Sequence, residues 1–177
     1  MTSKNDRRFS GPLEAPAASE RQPNVAISSA DVSAWMRSED LQVLAATDVL
    51  VDQAHHSISP HLTLDDVDEF RRAFYRRCLR EDPQGDWAPS REAAAWELAN
   101  WLGYLARESA GVALLTTWRD WLAEEYTVGD AAIRECLITG TLGRVFRQPA
   151  LRYLFEVWKG EDVLSEAYTK AAAFVGR

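Results

Sequence analysis

Four of the seven tryptophans in this 177-residue chain fall between residues 96 and 126: Trp96, Trp101, Trp118 and Trp121, with Tyr104 and Tyr126 beside them. Aromatic side chains remove the most area per residue from water, so a stretch this rich in them has to lie where a core assembles. Spacing decides its form. Ala94, Leu98, Trp101, Leu102 and Leu105 recur at the period of one helical face, and so do Leu114, Leu115, Trp118, Trp121, Leu122 and Tyr126. Ser90 can cap the first of these helices, and Ser109-Ala110-Gly111 leaves only a short connection to the second. Two helices joined in this way pack as an antiparallel hairpin. Trp96 and Tyr104 fall off the main stripe and stay open as contact residues.

The remaining segments repeat the helical period. Ser28 or Ser29 can cap a short helix carrying Val32, Trp35 and Met36. Ser38 can cap a longer one, with Glu39 and Asp40 in its first turn. Its Leu41, Val43, Leu44, Val49, Leu50 and Val51 make it apolar around much of its girth, which predicts a deep position. Leu64, Val67, Phe70, Phe74 and Cys78 line one face of the most amphipathic helix, and Thr63 with Asp66 has the form of a capping box. Acids fill the first half of that helix and arginines the second, in line with its dipole, and Asp68 and Arg72 stand four apart. Asp82-Pro83-Gln84-Gly85 then breaks it.

Asp130 can cap a further helix with Ile133, Leu137, Ile138, Leu142, Val145 and Phe146, interrupted by Gly140 and Gly143. Each glycine costs about 1 kcal/mol relative to alanine in a helix interior, so these two either admit a neighbouring helix closely or mark a kink. Pro149 fits the first turn of a helix that carries Leu151, Leu154, Phe155 and Trp158 and stops at Gly160; Leu164, Ala167, Tyr168, Ala171 and Val175 form a last one. No stretch alternates as a strand. The class is all-α, a compact bundle of about seven helices around the Trp-rich antiparallel hairpin.

Residues 1–27 contain Gly11, Pro12, Pro16 and Pro23 and few large apolar side chains, so burial cannot offset the entropy of ordering them; they read as a disordered tail before a single domain at 28–177. The formal net charge is -7, and the tail is slightly positive, so the acidity belongs to the domain. That balance argues against general nucleic-acid binding and suits a partner with a basic surface. No apolar run reaches the length of a membrane span, and the N-terminus lacks the apolar region of a secretory signal. Cys78 and Cys136 both sit among apolar residues and read as buried thiols in a reducing compartment. A cytoplasmic protein is expected.

Few residues suggest chemistry. Asp52 and His56 share a helical face and His61 could fold back past Pro60, a spacing able to hold a metal; the plainer reading places His55 and His56 in a last helical turn, satisfying carbonyls. Arg72, Arg76 and Arg80 form a stripe able to grip carboxylate or phosphate; the plainer reading is a solvated face balanced by nearby acids. Gly140 and Gly143 lack the spacing and the Lys-Ser/Thr ending of a phosphate loop, and no strand precedes them. Glu124 and Glu125 are helix neighbours that point apart, so they do not form a catalytic carboxylate pair, and no serine sits in a nucleophile elbow. No catalytic residue and no cofactor are read from the chain.

Glu135-Cys136-Leu137-Ile138-Thr139-Gly140-Thr141-Leu142-Gly143-Arg144-Val145-Phe146, followed by Leu154-Phe155-Glu156-Val157-Trp158 and Leu164-Ser165-Glu166-Ala167-Tyr168, resembles the C-terminal part of small helical immunity proteins encoded beside bacterial polymorphic toxins. The resemblance implies a non-enzymatic protein that binds and blocks a toxin, and it carries over no active-site residue. The leading expectation is therefore a protein-binding module of the immunity or antitoxin type, with Trp96, Tyr104, Arg72, Arg76 and Arg80 as contact residues. Two alternatives remain: a metal-binding helical enzyme or sensor using Asp52, His56 and His61, and an obligate subunit of a larger assembly.

Overall fold

The computed structural model describes residues 27–56 and 62–175, except the side chains of Ala54 and His56. Residues 1–26 of the expected tail lie outside it. Among the described residues all regular structure is helical: α1 Ser29–Met36, α2 Leu41–His56, α3 Leu64–Glu81, α4 Arg91–Leu105, α5 Val112–Val128 and α6 Ala131–Cys136. A π-helical segment, Leu137–Leu142, follows without a break, then α7 Gly143–Val145, α8 Pro149–Leu154, a 3-10 turn Glu156–Gly160 and α9 Asp162–Ala173. The bundle is all-α. None of these helices is long and apolar enough to cross a membrane.

Short polar side chains start the helices where the sequence places them, because the first N–H groups of a helix need acceptors. Ser28 and Asp31 close a capping box on α1, and Thr63 and Asp66 close one on α3. The hydroxyl of Ser29 also donates to Asp66 Oδ2 at 2.6 Å, tying the start of α1 to the start of α3. Ser90 and Asp130 cap α4 and α6 by accepting from Ala93 N and Ile133 N. At α2 the cap is Asp40, not Ser38: Asp40 Oδ1 accepts from Gln42 N at 2.8 Å and its carbonyl accepts from Leu44 N. Ser38 instead accepts from Asp40 N, and the helix begins two residues later than its serine suggested.

The core gathers on α4, which packs against α3, α5, α6, the π segment and α7. Phe70, Phe74, Cys78 and Leu79 of α3 meet Leu98, Trp101, Leu102 and Leu105 of α4 in the interior, with Trp118 and Leu122 of α5. A second aromatic group closes the C-terminal end: Phe146 lies 4.9 Å from Tyr168 and Phe155 lies 4.9 Å from Trp158 between ring centroids. Ile27, counted with the tail from sequence, is buried in the core. The expectation that α2 lies deep is overturned. Leu44, Thr47 and Val51 face inward, while Val43, Val49 and Leu50 are exposed. Apolar residues around the full girth do not bury a helix when only one side has neighbours; here those are mainly α1 and α3, with α4 touching the His55 end.

Of the two readings of the glycines, close approach holds at Gly140. A Cβ on Gly140 would stand 2.8 Å from the Cβ of Ala95, so the π segment meets α4 at a distance no other residue permits. The segment inserts an extra residue per turn, which lets Leu137, Ile138, Thr141 and Leu142 all face inward. Thr141 then donates its buried hydroxyl to the Ala95 carbonyl at 2.7 Å. Gly140→Ala should lower stability by about 1–2 kcal/mol, the overpacking cost exceeding the helix-propensity gain of about 1 kcal/mol. Combined with Ala95→Gly it should cost less than the two single changes added. Urea unfolding of the four chains checks this, and a stabilised Gly140→Ala chain would refute the close contact.

Candidate functional site

The arginine stripe of α3 points at acids rather than into solvent. Arg72 lies 3.1 Å from Asp68, Arg76 reaches Glu125 at 2.6 Å, and Arg80 reaches the other oxygen of Glu125 at 2.8 Å. Both carboxylates are fully buried. Glu124, the neighbour of Glu125, also meets Arg76 at 3.2 Å, although it is exposed. Asp68 Oδ1 accepts from the indole N–H of Trp101 at 2.9 Å and from that of Trp118, while Oδ2 faces Arg72 without a hydrogen-bond alignment. Burial pushes the Asp68 carboxyl up, and the Trp118 and Trp101 donors and Arg72 oppose that. These residues lock α3 to α4 and α5.

Removing the positive side should expose the cost of the buried acid. Replacing Arg76 and Arg80 together with Met should destabilise by about 2–4 kcal/mol, somewhat less than for a fully enclosed pair because the guanidiniums reach water. Adding Glu125→Leu should recover most of the loss. Urea denaturation reads both, and a double-arginine cost below about 0.5 kcal/mol would reduce the pairs to ordinary surface salt bridges.

The residues suggested for a metal divide. Asp52 pairs with Arg71 at 2.7 Å; the His56 side chain and His61 lie outside the described residues. Among the described residues no group of three His, Cys, Asp or Glu side chains is arranged to hold a metal. Arg71 lies 4.1 Å over the Trp101 ring, Trp101 stacks on Tyr104 with centroids 5.0 Å apart, and the Tyr104 hydroxyl meets His55 Nε2 at 3.0 Å. Tyr104 is thus half-buried between α2 and α4, part of a cation–aromatic stack, rather than a free aromatic.

Asp48 of α2, which with Asp52 stands just upstream of the histidines in the sequence, closes this layer. Its Oδ1 is buried without a hydrogen-bond partner. Burial raises its carboxyl to about 6; Arg71 opposes this, while Asp52 and Glu97 add to it. Tyr75 is pushed above the usual phenol range, first by burial and then by Asp48. Cys78 is free and buried, raised to about 12, and Cys136 is free and buried, raised to about 11, both mainly by burial. Neither thiol has the depressed value of a nucleophile.

Because the folded Asp48 holds its proton more tightly than the unfolded chain, its stabilisation is complete below about 4, the unfolded value, and is lost as pH rises through about 6. Asp48→Asn should remove that dependence. The stability difference between the native chain and the variant should change by about 2–3 kcal/mol between pH 4 and pH 8, in the direction of a relatively weaker native chain at the higher pH. Parallel unfolding curves across that range would show that the folded carboxyl is not shifted.

A groove opens on the other side of α4. It has a volume of about 330 Å³ and is lined, mostly by apolar atoms, by Glu92, Ala93 and Trp96 of α4 and by Cys136, Thr139, Gly140 and Arg144. Trp96 is 47% exposed, and the Arg144 guanidinium lies 4.9 Å from its ring centroid. The floor exists because Gly140 lets the π segment approach Ala95, and Thr139 turns its hydroxyl back to the Glu135 carbonyl. Of the residues suggested for partner contact, Trp96 is the one left with an open aromatic surface beside a groove. No family model, curated protein or solved structure matches the chain.

Proposed function

We propose that this protein is a non-enzymatic binding module of the immunity or toxin-inhibitor type, acting in the cytoplasm by holding a protein partner against the groove beside Trp96. The observation that carries the proposal is Trp96 itself. Nearly half of a tryptophan surface stands in water next to an apolar groove. Covering about 100 Å² of it would contribute about 2–3 kcal/mol, the scale of an interface hot spot. The resemblance of residues 135–168 to immunity proteins points to the same region, since the π segment and Arg144 form one wall of the groove. The ion pairs of Arg72, Arg76 and Arg80 serve the fold in this reading and leave Trp96 as the principal contact.

The rival reading, an obligate subunit of an assembly, draws on the uncovered Val43, Val49 and Leu50 of α2. Coexpression with the product of the neighbouring reading frame, tested first for toxicity when expressed alone, separates the two. The native chain should restore growth and bind that product in pull-down, and Trp96→Ala should weaken binding at least tenfold while Val49→Ser and Leu50→Ser leave it intact. Absence of protection by the native chain sinks the inhibitor reading. Protection lost only on changing α2 would move the contact there.

A further inference from the structure

One end of the groove differs in charge from the molecule around it, with Arg144 there and Glu92 at the other end of the same lining. Most arginines of the described chain have a partner within the fold: Arg71 has Asp52, Arg76 and Arg80 have Glu125, Arg77 has Glu81, and Arg91 and Arg134 donate to carbonyls. Arg107, Arg144 and Arg147 make no ion pair among the described residues, and they gather at one edge. Trp96, Asn100, Gly103 and Arg107 follow one another on a single face of α4 and its last turn. A Cβ on Gly103 would stand 3.2 Å from Gln148 Nε2 and 3.7 Å from Arg107, so the Arg107 head and the chain just after Arg147 meet over that glycine. Arg147 follows α7 in a turn, its N–H donating to the Arg144 carbonyl at 3.1 Å. A strip with unpaired guanidiniums therefore runs from the groove past Gly103, in a chain of net charge -7.

Resting on the protein-binding reading above, we infer that this groove takes an acidic–apolar peptide segment of the partner. An aliphatic or aromatic side chain sits against the uncovered part of Trp96, an adjacent carboxylate meets Arg144, and further acids follow toward Arg107 and Arg147. Charge complementarity carries the choice. The guanidinium above Trp96 is oriented by the ring and keeps its N–H fork open, the geometry that a carboxylate matches with two parallel hydrogen bonds. The apolar lining around it lowers the local dielectric and strengthens that contact. Glu92 stands at the opposite end of the groove, so the acids of the segment have a preferred direction along it.

A nucleic-acid strand fits less well. It would carry a phosphate past Glu92 with every nucleotide, against the charge of the whole domain, and the groove offers one exposed ring where single-strand binders use several. The acidity of the chain and the positive charge at the Arg144 end of its groove are then separate features, one setting the general field and the other the local register of the partner.

Panning a random peptide display library on the full chain tests the inference. Selected peptides should place Asp or Glu beside Leu, Ile, Phe or Trp. The best of them, measured by fluorescence anisotropy, should bind at least tenfold more weakly to Arg144→Gln and to Trp96→Ala. Arg107→Gln and Arg147→Gln should each weaken binding two- to threefold and flatten its salt dependence. Thermal melts should stay nearly unchanged in the arginine variants, whose side chains make no ion pair among the described residues. Enrichment of basic peptides, no enrichment at all, or undiminished binding to Arg144→Gln would overturn it, as would displacement of the peptide by an equimolar twelve-residue oligothymidylate. The toxin coexpression assay separates this failure from that of the broader reading: protection that survives Arg144→Gln removes the acidic-segment inference alone, whereas absent protection with intact peptide selection removes the inhibitor reading alone.

Discussion

The carboxylate of Asp68 is the joint on which this bundle depends. A single oxygen of a fully buried acid on α3 receives the indole N–H of Trp101 from α4 and that of Trp118 from α5. Burying an acid is costly unless donors surround it, and an indole buried without an acceptor is costly as well. The three groups offset one another only when the three helices hold one register, so the polar contact selects a packing that apolar contacts alone would leave loose. Arg72 adds a cation 3.1 Å from the remaining oxygen and lies over the Trp118 ring, which binds the charge of the site to the same helices.

The same economy of donors and acids governs the rest of the charge. Glu125 repeats the arrangement one turn further along, with Arg76 and Arg80 on its two oxygens, and Asp82 does so in a loop by accepting from the N–H groups of Asp86, Trp87 and Ala88. Those backbone donors, Trp87 foremost, hold the Asp82 carboxyl below its usual range. Internal pairing leaves a remainder of arginines, Arg144 among them, outside any ion pair of the described residues. The cations visible as a motif in sequence are taken up by the fold, and the ones left over lie in positions that look unremarkable along the chain.

The π segment connects packing to the surface. Its extra residue turns Thr141 toward the Ala95 carbonyl and sets Gly140 against Ala95, so α4 and the segment stand close at that level. Residues just outside that contact, Trp96 on one side and Arg144 on the other, flank the groove. A regular α-helix through 137–142 would rotate Arg144 relative to Trp96 and separate the guanidinium from the ring. The groove beside Trp96 is thus a consequence of a local departure from helical regularity that the two glycines and Thr141 make tolerable.

Much of the fold was legible in the chain alone because local rules decide local structure. Apolar spacing located the long helices, Ser28, Thr63, Ser90 and Asp130 marked starts that the structure keeps, and Asp68 and Arg72 paired as their spacing implied. Glu125 sits on the core-facing stripe of its helix, a signal that was present and passed over. Residue order along the chain is enough to set the all-helical class, most helix ends to within a few residues, and the residues able to form a core. Tertiary structure alone decided that α2 keeps one apolar face in water, that one carboxyl oxygen of Asp48 is buried, and that Arg76 and Arg80 are committed to Glu125 while Arg144 stays open over Trp96. Those outcomes depend on contacts between residues far apart in the chain, and periodicity carries no information about which face of one helix meets which face of another.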